Sequence, residues 1–180
     1  MSKYLILVPA LLIVAAAAPA AENWSAPAEV THDDSVCVTY RARVAGDWLV
    51  VEARHEKPWH TYAIDNEIRA KEKLAGKMSL GIDQPTSFKV SAGLEVTGGW
   101  MQSPPHDLSK PDLRWYTWGF EDVSLFAAKV KRTAAGPATV AIRGQACSAN
   151  TCKNINVTLS VPVAPGPAVD LQGLVAAKPE

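Results

Sequence analysis

The strongest constraint on this chain is a strict alternation of side chains across one stretch. Residues 138–161 read ATVAIRGQACSANTCKNINVTLSV. Val140 and Ile142 share one parity, while Thr139, Arg143, Gln145 and Cys147 share the other. After Ser148–Thr151, the apolar parity passes to Ile155, Val157, Leu159 and Val161. The polar parity holds Cys152, Asn154, Asn156 and Thr158. A period of two belongs to strands with one face on a core, whereas a helix repeats at about 3.6 residues. The four residues between the cysteines suit a hairpin loop. Both cysteines then lie on the same, more polar face. If they stand opposite each other, their Cβ atoms are about 4.5–5.5 Å apart, within reach of a disulfide.

Other runs repeat the pattern. Val36, Val38, Tyr40, Ala42 and Val44 alternate within 36–44, and 47–54 follows the turn signal Ala45-Gly46-Asp47. Residues 122–131 are a further strand, and Gly98-Gly99, Pro104-Pro105 and Gly136-Pro137 punctuate the gaps. Short alternating runs between turn signals predict an all-β antiparallel sandwich. The charged run Asp65–Gly76, rich in helix formers, fits a helical turn or a solvated loop, and reads first as a short surface excursion. Cys37 alternates with the apolar set of its strand, which predicts an outward, partly buried thiol.

Length places one domain in the 180 residues. Lys3, the apolar run 4–18 and Ala18-Pro19-Ala20 read as a signal peptide over residues 1–20. Residues 21–29 are a linker, 30–163 the sandwich domain, and 164–180 a loosely ordered Pro/Gly/Ala-rich tail. The expected location is periplasmic or secreted, with no membrane span in the mature chain. The balance of 18 basic against 18 acidic residues leaves no basic excess for nucleic acid. With 48% hydrophobic and 20% charged residues, the composition is that of a globular protein.

The spacing of the cysteine pair admits a hairpin staple, a redox pair or half of a metal site. Zinc is the weakest of these, because a structural site needs four ligands. The chain has no second pair, and His60 and His106 lack ligand spacing. No nucleophile motif accompanies His60 or His106-Asp107, so a hydrolase is not expected.

The run Gly144-Gln145-Ala146-Cys147-Ser148-Ala149-Asn150-Thr151-Cys152 resembles the active-site hairpin of the N-terminal domain of DsbD, a thiol:disulfide interchange family of the bacterial envelope. Lys57-Pro58-Trp59-His60-Thr61-Tyr62 is similar to that family's aromatic segment, and the resemblance covers residues 30–163. It implies an immunoglobulin-like antiparallel β-sandwich acting as a thiol–disulfide oxidoreductase without a cofactor. Electrons would pass through Cys147 and Cys152, with Cys152 attacking and Cys147 resolving. Partners would be thioredoxin-like proteins or other envelope thiol–disulfide proteins. Trp59 and Tyr62 would flank the disulfide, and a cap near Asp112–Glu121 would contribute Trp115 and Tyr116; ordinary core and rim packing is the other reading of all four. Lys153 and Asn154 depart from the family, which has an apolar residue and proline there. Lys153 is either a plain solvated lysine or a charge that favours a Cys152 thiolate. The family's membrane and thioredoxin-like domains have no counterpart here, so a reductant would come from another protein. The other reading of the same residues is an immunoglobulin-like binding or adaptor domain with a structural hairpin disulfide.

Overall fold

The computed structural model describes residues 23–81, 83–164 and 166–179; the leader read over residues 1–20 lies outside them. Strands β1 (Ala28–His32), β2 (Ser35–Ala45), β3 (Trp48–His55) and β4 (His60–Tyr62) precede one helix, α1 (Asn66–Lys73). Next come β5 (Ser87–Ser91), β6 (Leu94–Gln102), β7 (His106–Asp107), a 3-10 turn at Pro111–Leu113 and β8 (Trp118–Phe120). Then follow β9 (Val123–Arg132), β10 (Ala138–Cys147), β11 (Cys152–Val161) and β12 (Val175–Ala176).

Two antiparallel sheets face each other. The first runs β1-β2-β3-β9-β6-β12 and the second β11-β10-β4-β8-β7, with β5 also paired to β10. The apolar parity of each long strand lies between them: Val38, Tyr40, Leu49, Val51 and Phe126 from one sheet, Val140, Ile142, Ile155 and Leu159 from the other. Aromatic rings tie the sheets together. Phe88 of β5 stacks on Trp100 of β6 at 4.4 Å, and Phe120 of β8 meets Phe126 of β9 edge-on at 5.2 Å. The all-β antiparallel sandwich expected from the sequence is the architecture found.

β10 has two neighbours in succession along one edge. Residues 139–143 pair with β5, and Ala146 and Cys147 pair with β4. Gly144 sits at the handover with φ of +146°, and a Cβ there would approach the Pro85 carbonyl oxygen to 3.1 Å. Glycine alone fits both demands. The handover brings the short aromatic strand β4 beside the cysteine end of the hairpin.

Three expectations change. The charged run forms a helix, with Glu67 near its start, Lys71 and Lys73 in its last turn, and an Asp65–Arg69 ion pair at 2.8 Å. That charge order suits the helix dipole and the i,i+4 spacing. Gly98-Gly99 is no gap but part of β6, where the register shifts between Val96 and Trp100. Glycines inside a strand commonly mark such an irregularity. The tail is also tethered. β12 extends the first sheet along β6, and the Lys178 N–H donates to the buried Asp65 carboxylate at 3.0 Å.

Candidate functional site

The β10–β11 register runs unbroken from Ala138↔Val161 to Cys147↔Cys152. The Ser148 N–H donates to the Thr151 carbonyl at 2.8 Å and closes the loop between them. Cys147 and Cys152 are directly opposite and joined by a disulfide, with Cα atoms 4.0 Å apart. The two halves differ in environment. β11 is a sheet edge, and Cys152 is exposed. β10 is flanked on its other side by β4, where His60 pairs with Cys147, and Cys147 is only 2% exposed.

The disulfide forms one wall of a cleft of about 640 Å³. β4 and its approach supply Pro58, His60 and Tyr62; the connection from β7 to β8 supplies Leu108, Lys110, Trp115 and Thr117; Glu121 lies in the turn between β8 and β9. Trp115 is held from several sides. Its Nε1–H donates to Asp83 Oδ2 at 2.6 Å, and the Lys110 ammonium lies 5.0 Å from its ring centroid. Gly81 leaves the room, since a Cβ there would fall 2.2 Å from Trp115 Nε1. The backbones interlock as well: Leu80 N–H donates to the Arg114 carbonyl and Tyr116 N–H to Ser79 Oγ. The Asn66 side chain, at the start of α1, accepts from Thr117 Oγ1 and the Trp118 N–H and so fastens β8.

Charge in the cleft is mixed. Burial holds the His60 imidazole below its ordinary pKa, with Lys110 adding to the effect and Glu121 and Asp83 opposing it. His60 is therefore neutral near pH 7. Burial first, then the facing Asp83 carboxylate by charge and hydrogen bonding, push the Tyr62 phenol up. The Tyr62 hydroxyl lies 3.4 Å from His60 Nε2, and the two rings meet edge-on at 5.4 Å.

With this geometry in place, comparison with solved structures adds a likeness. The structure is similar to the crystal structure of the Neisseria meningitidis DsbD N-terminal domain in the reduced form, at 12% identity and a TM-score of 0.49, covering 79% of this chain and 91% of that one. No protein-family model and no curated protein matches the sequence.

The expected site residues divide. Tyr62 and Trp115 line the cleft with Cys147 and Cys152. Trp59 does not: it is 8% exposed in the core, edge-on to His32 at 5.6 Å. Strand alternation sends Trp59 away from the face that His60 and Tyr62 share. Tyr116 is turned away too, into a separate cavity with Asn66, Ala70 and Met78. Lys153 has the parity of Ile155 rather than of Cys152, so it lies on the other side of β11 from the sulfur it was expected to serve. Its charge instead acts on Cys37, weakly opposing the burial that raises that thiol. Cys37 is fully buried, not outward. The register between β1 and β2 jumps from Val30↔Val38 to Thr31↔Val36, so Cys37 is the extra residue of a bulge and joins Val38 in the core.

The sequence reading assigned no role to His60, Asp83, Lys110 or Glu121. His60 carried a signal, since it stands two residues before Tyr62 and shares its face. The others sit in segments without periodicity, where only the folded chain brings them together. Among the described residues no group of three or more His, Cys, Asp or Glu side chains could hold a metal ion. Among the same residues no helix is long and apolar enough to cross a membrane.

Proposed function

We propose that the chain is an extracytoplasmic thiol–disulfide interchange module, exported by its leader, that relays electrons through Cys147 and Cys152. The observation that carries this reading is the asymmetry of the disulfide. One sulfur belongs to an exposed residue on an edge strand, and the other to a residue shut into a cleft beside His60 and Tyr62. A plain staple needs neither the cleft nor the asymmetry. Exchange uses both, because the attacking thiolate must reach its target and the second thiol must wait.

In the reduced state, the Cys152 thiolate attacks a partner disulfide. The partner S–S bond breaks, a mixed disulfide forms, and one partner thiolate leaves. Cys147 then attacks Cys152 in the mixed disulfide and releases the second partner thiolate. Two electrons pass to the partner and the Cys147–Cys152 bond is restored. A thioredoxin-like dithiol reverses these steps to recharge the pair. The roles follow accessibility, with exposed Cys152 attacking and buried Cys147 resolving.

Equilibrating the folded protein in glutathione and dithiothreitol buffers tests this reading, with the reduced fraction counted by thiol alkylation. The midpoint is expected well above about −300 mV, the region of structural disulfides. A pair reduced only by strong dithiothreitol would return the domain to the adaptor reading.

A further inference from the structure

We infer that His60 is the proton acceptor for the Cys147 thiol when Cys147 resolves the mixed disulfide, and the donor that reprotonates it when Cys147 leaves. The inference deepens the exchange reading and rests on it.

The placement comes from strand pairing. Cys147 has Cys152 as its partner on one side and His60 on the other. Directly paired residues on antiparallel strands place their Cβ atoms about 4.5–5.5 Å apart. Both side chains have the outward parity, and both line the cleft. Cys147 is only 2% exposed, so a thiol there meets little water and solvent is a poor base for it. An imidazole that is neutral near pH 7 is a ready one.

The surroundings also suit one tautomer. The nearby Asp83 carboxylate helps to keep the Tyr62 phenol protonated. The phenol oxygen lies 3.4 Å from His60 Nε2 and can accept from an Nε2–H there. The separation is long for a resting hydrogen bond, as is common before a partner docks. With Nε2 protonated, Nδ1 is the bare nitrogen. Glu121 and Asp83 favour the imidazolium that forms, while Lys110 and the nearby His55 oppose it.

The proton balance closes. As Cys147 attacks, its S–H proton moves to His60, the new S–S bond forms, and the partner thiolate leaves. The imidazolium then returns its proton to that thiolate or to water. In the reverse direction a partner thiol gives its proton to His60 and attacks Cys152 as the thiolate, Cys147 leaves with the electron pair, and the imidazolium protonates it.

The test starts from fully reduced protein mixed with oxidised glutathione, following closure of Cys147 onto glutathionylated Cys152 by rapid quench. For His60→Gln, closure at neutral pH is expected to slow by about 100-fold, within the range for a positioned base. The deficit should shrink at alkaline pH, where hydroxide removes the proton. A deficit equal at every pH would mean a merely structural role and would overturn the inference, as would no deficit. A second measurement needs no variant at His60. The titration midpoint of its ring protons should differ between oxidised and reduced wild-type protein, and equal midpoints would overturn the coupling. Closure starts from chemically reduced protein, so it can be read even if the pair has a structural potential. A low potential would therefore sink the exchange reading without deciding the role of His60, and the reverse also holds.

Discussion

At the scale of single residues, the exchange reading predicts that Trp115, which lines the cleft with Cys147 and Cys152, governs how easily the disulfide is reached. Its indole N–H donates to a carboxylate, a type of bond worth about 1.5–3 kcal/mol. Trp115→Phe keeps an aromatic ring, though a smaller one, and removes that bond. The open population of the cleft should then rise about tenfold, and reduction by a small dithiol should accelerate to match. Gly81→Ala tests the same contact from the other side, since its Cβ displaces the ring. Equal reduction rates in wild type and both variants would mean that Trp115 does not shield the sulfur. Single residues were also where the sequence was most and least informative. The facing of Cys147 and Cys152 was readable because nothing interrupts the register of β10 and β11. The same counting failed for Cys37 because a bulge in β2 inserts one residue, and no residue type announces it. The family resemblance implied Trp59 at the disulfide, and the position and aromaticity of the expected cap implied Tyr116. Alternation places Trp59 on the opposite face to Tyr62, and that could have been counted.

At the scale of elements, length governs what can be read. β2, β3, β9, β10 and β11 each show several turns of alternation, and all were visible in the sequence. β4 and β8 have three residues each, too few to show a period, yet they build the cleft. The tail was expected to be loose because its composition suits a loop, but one buried carboxylate holds its end. Burial alone would raise the Asp65 pKa. Arg69, the Lys178 N–H and Gln102 outweigh it and hold the carboxyl below its usual range. A carboxyl depressed in the folded state stabilises fully above its unfolded value near about 4, and that stability is lost as pH falls through the lower folded value. Asp65→Asn should therefore cost about 2 kcal/mol at neutral pH, lowering the melting temperature by about 4–8 °C. The gap between variant and wild type should close as the pH drops below about 4. Thermal melts across pH check this; a gap independent of pH would assign the loss to packing instead of charge. Hydrogen exchange gives a second readout, because the Ala177 N–H, bonded to the Trp100 carbonyl, should lose protection in the variant.

At the scale of the whole molecule, an exchange protein must stay folded in both redox states. The core lies between the sheets, and neither Cys147 nor Cys152 belongs to it. Their bond closes a very short loop, for which the chain-entropy model gives about 2 kcal/mol. That is small beside the roughly 5–15 kcal/mol typical of a folded domain. Reduction should therefore lower the melting temperature by about 4–8 °C and leave one cooperative transition. Calorimetry with and without reductant measures this directly. Loss of the transition on reduction would mean that the bond holds the fold together, and the exchange reading would fall with it. The sandwich could be anticipated from the chain because its long strands carry their own period. The full cleft could not, because Leu108 and Lys110 come from a segment without a period that meets the disulfide only when both sheets have closed. A small shift on reduction would place the stability in the first of these and leave the second free to do the chemistry.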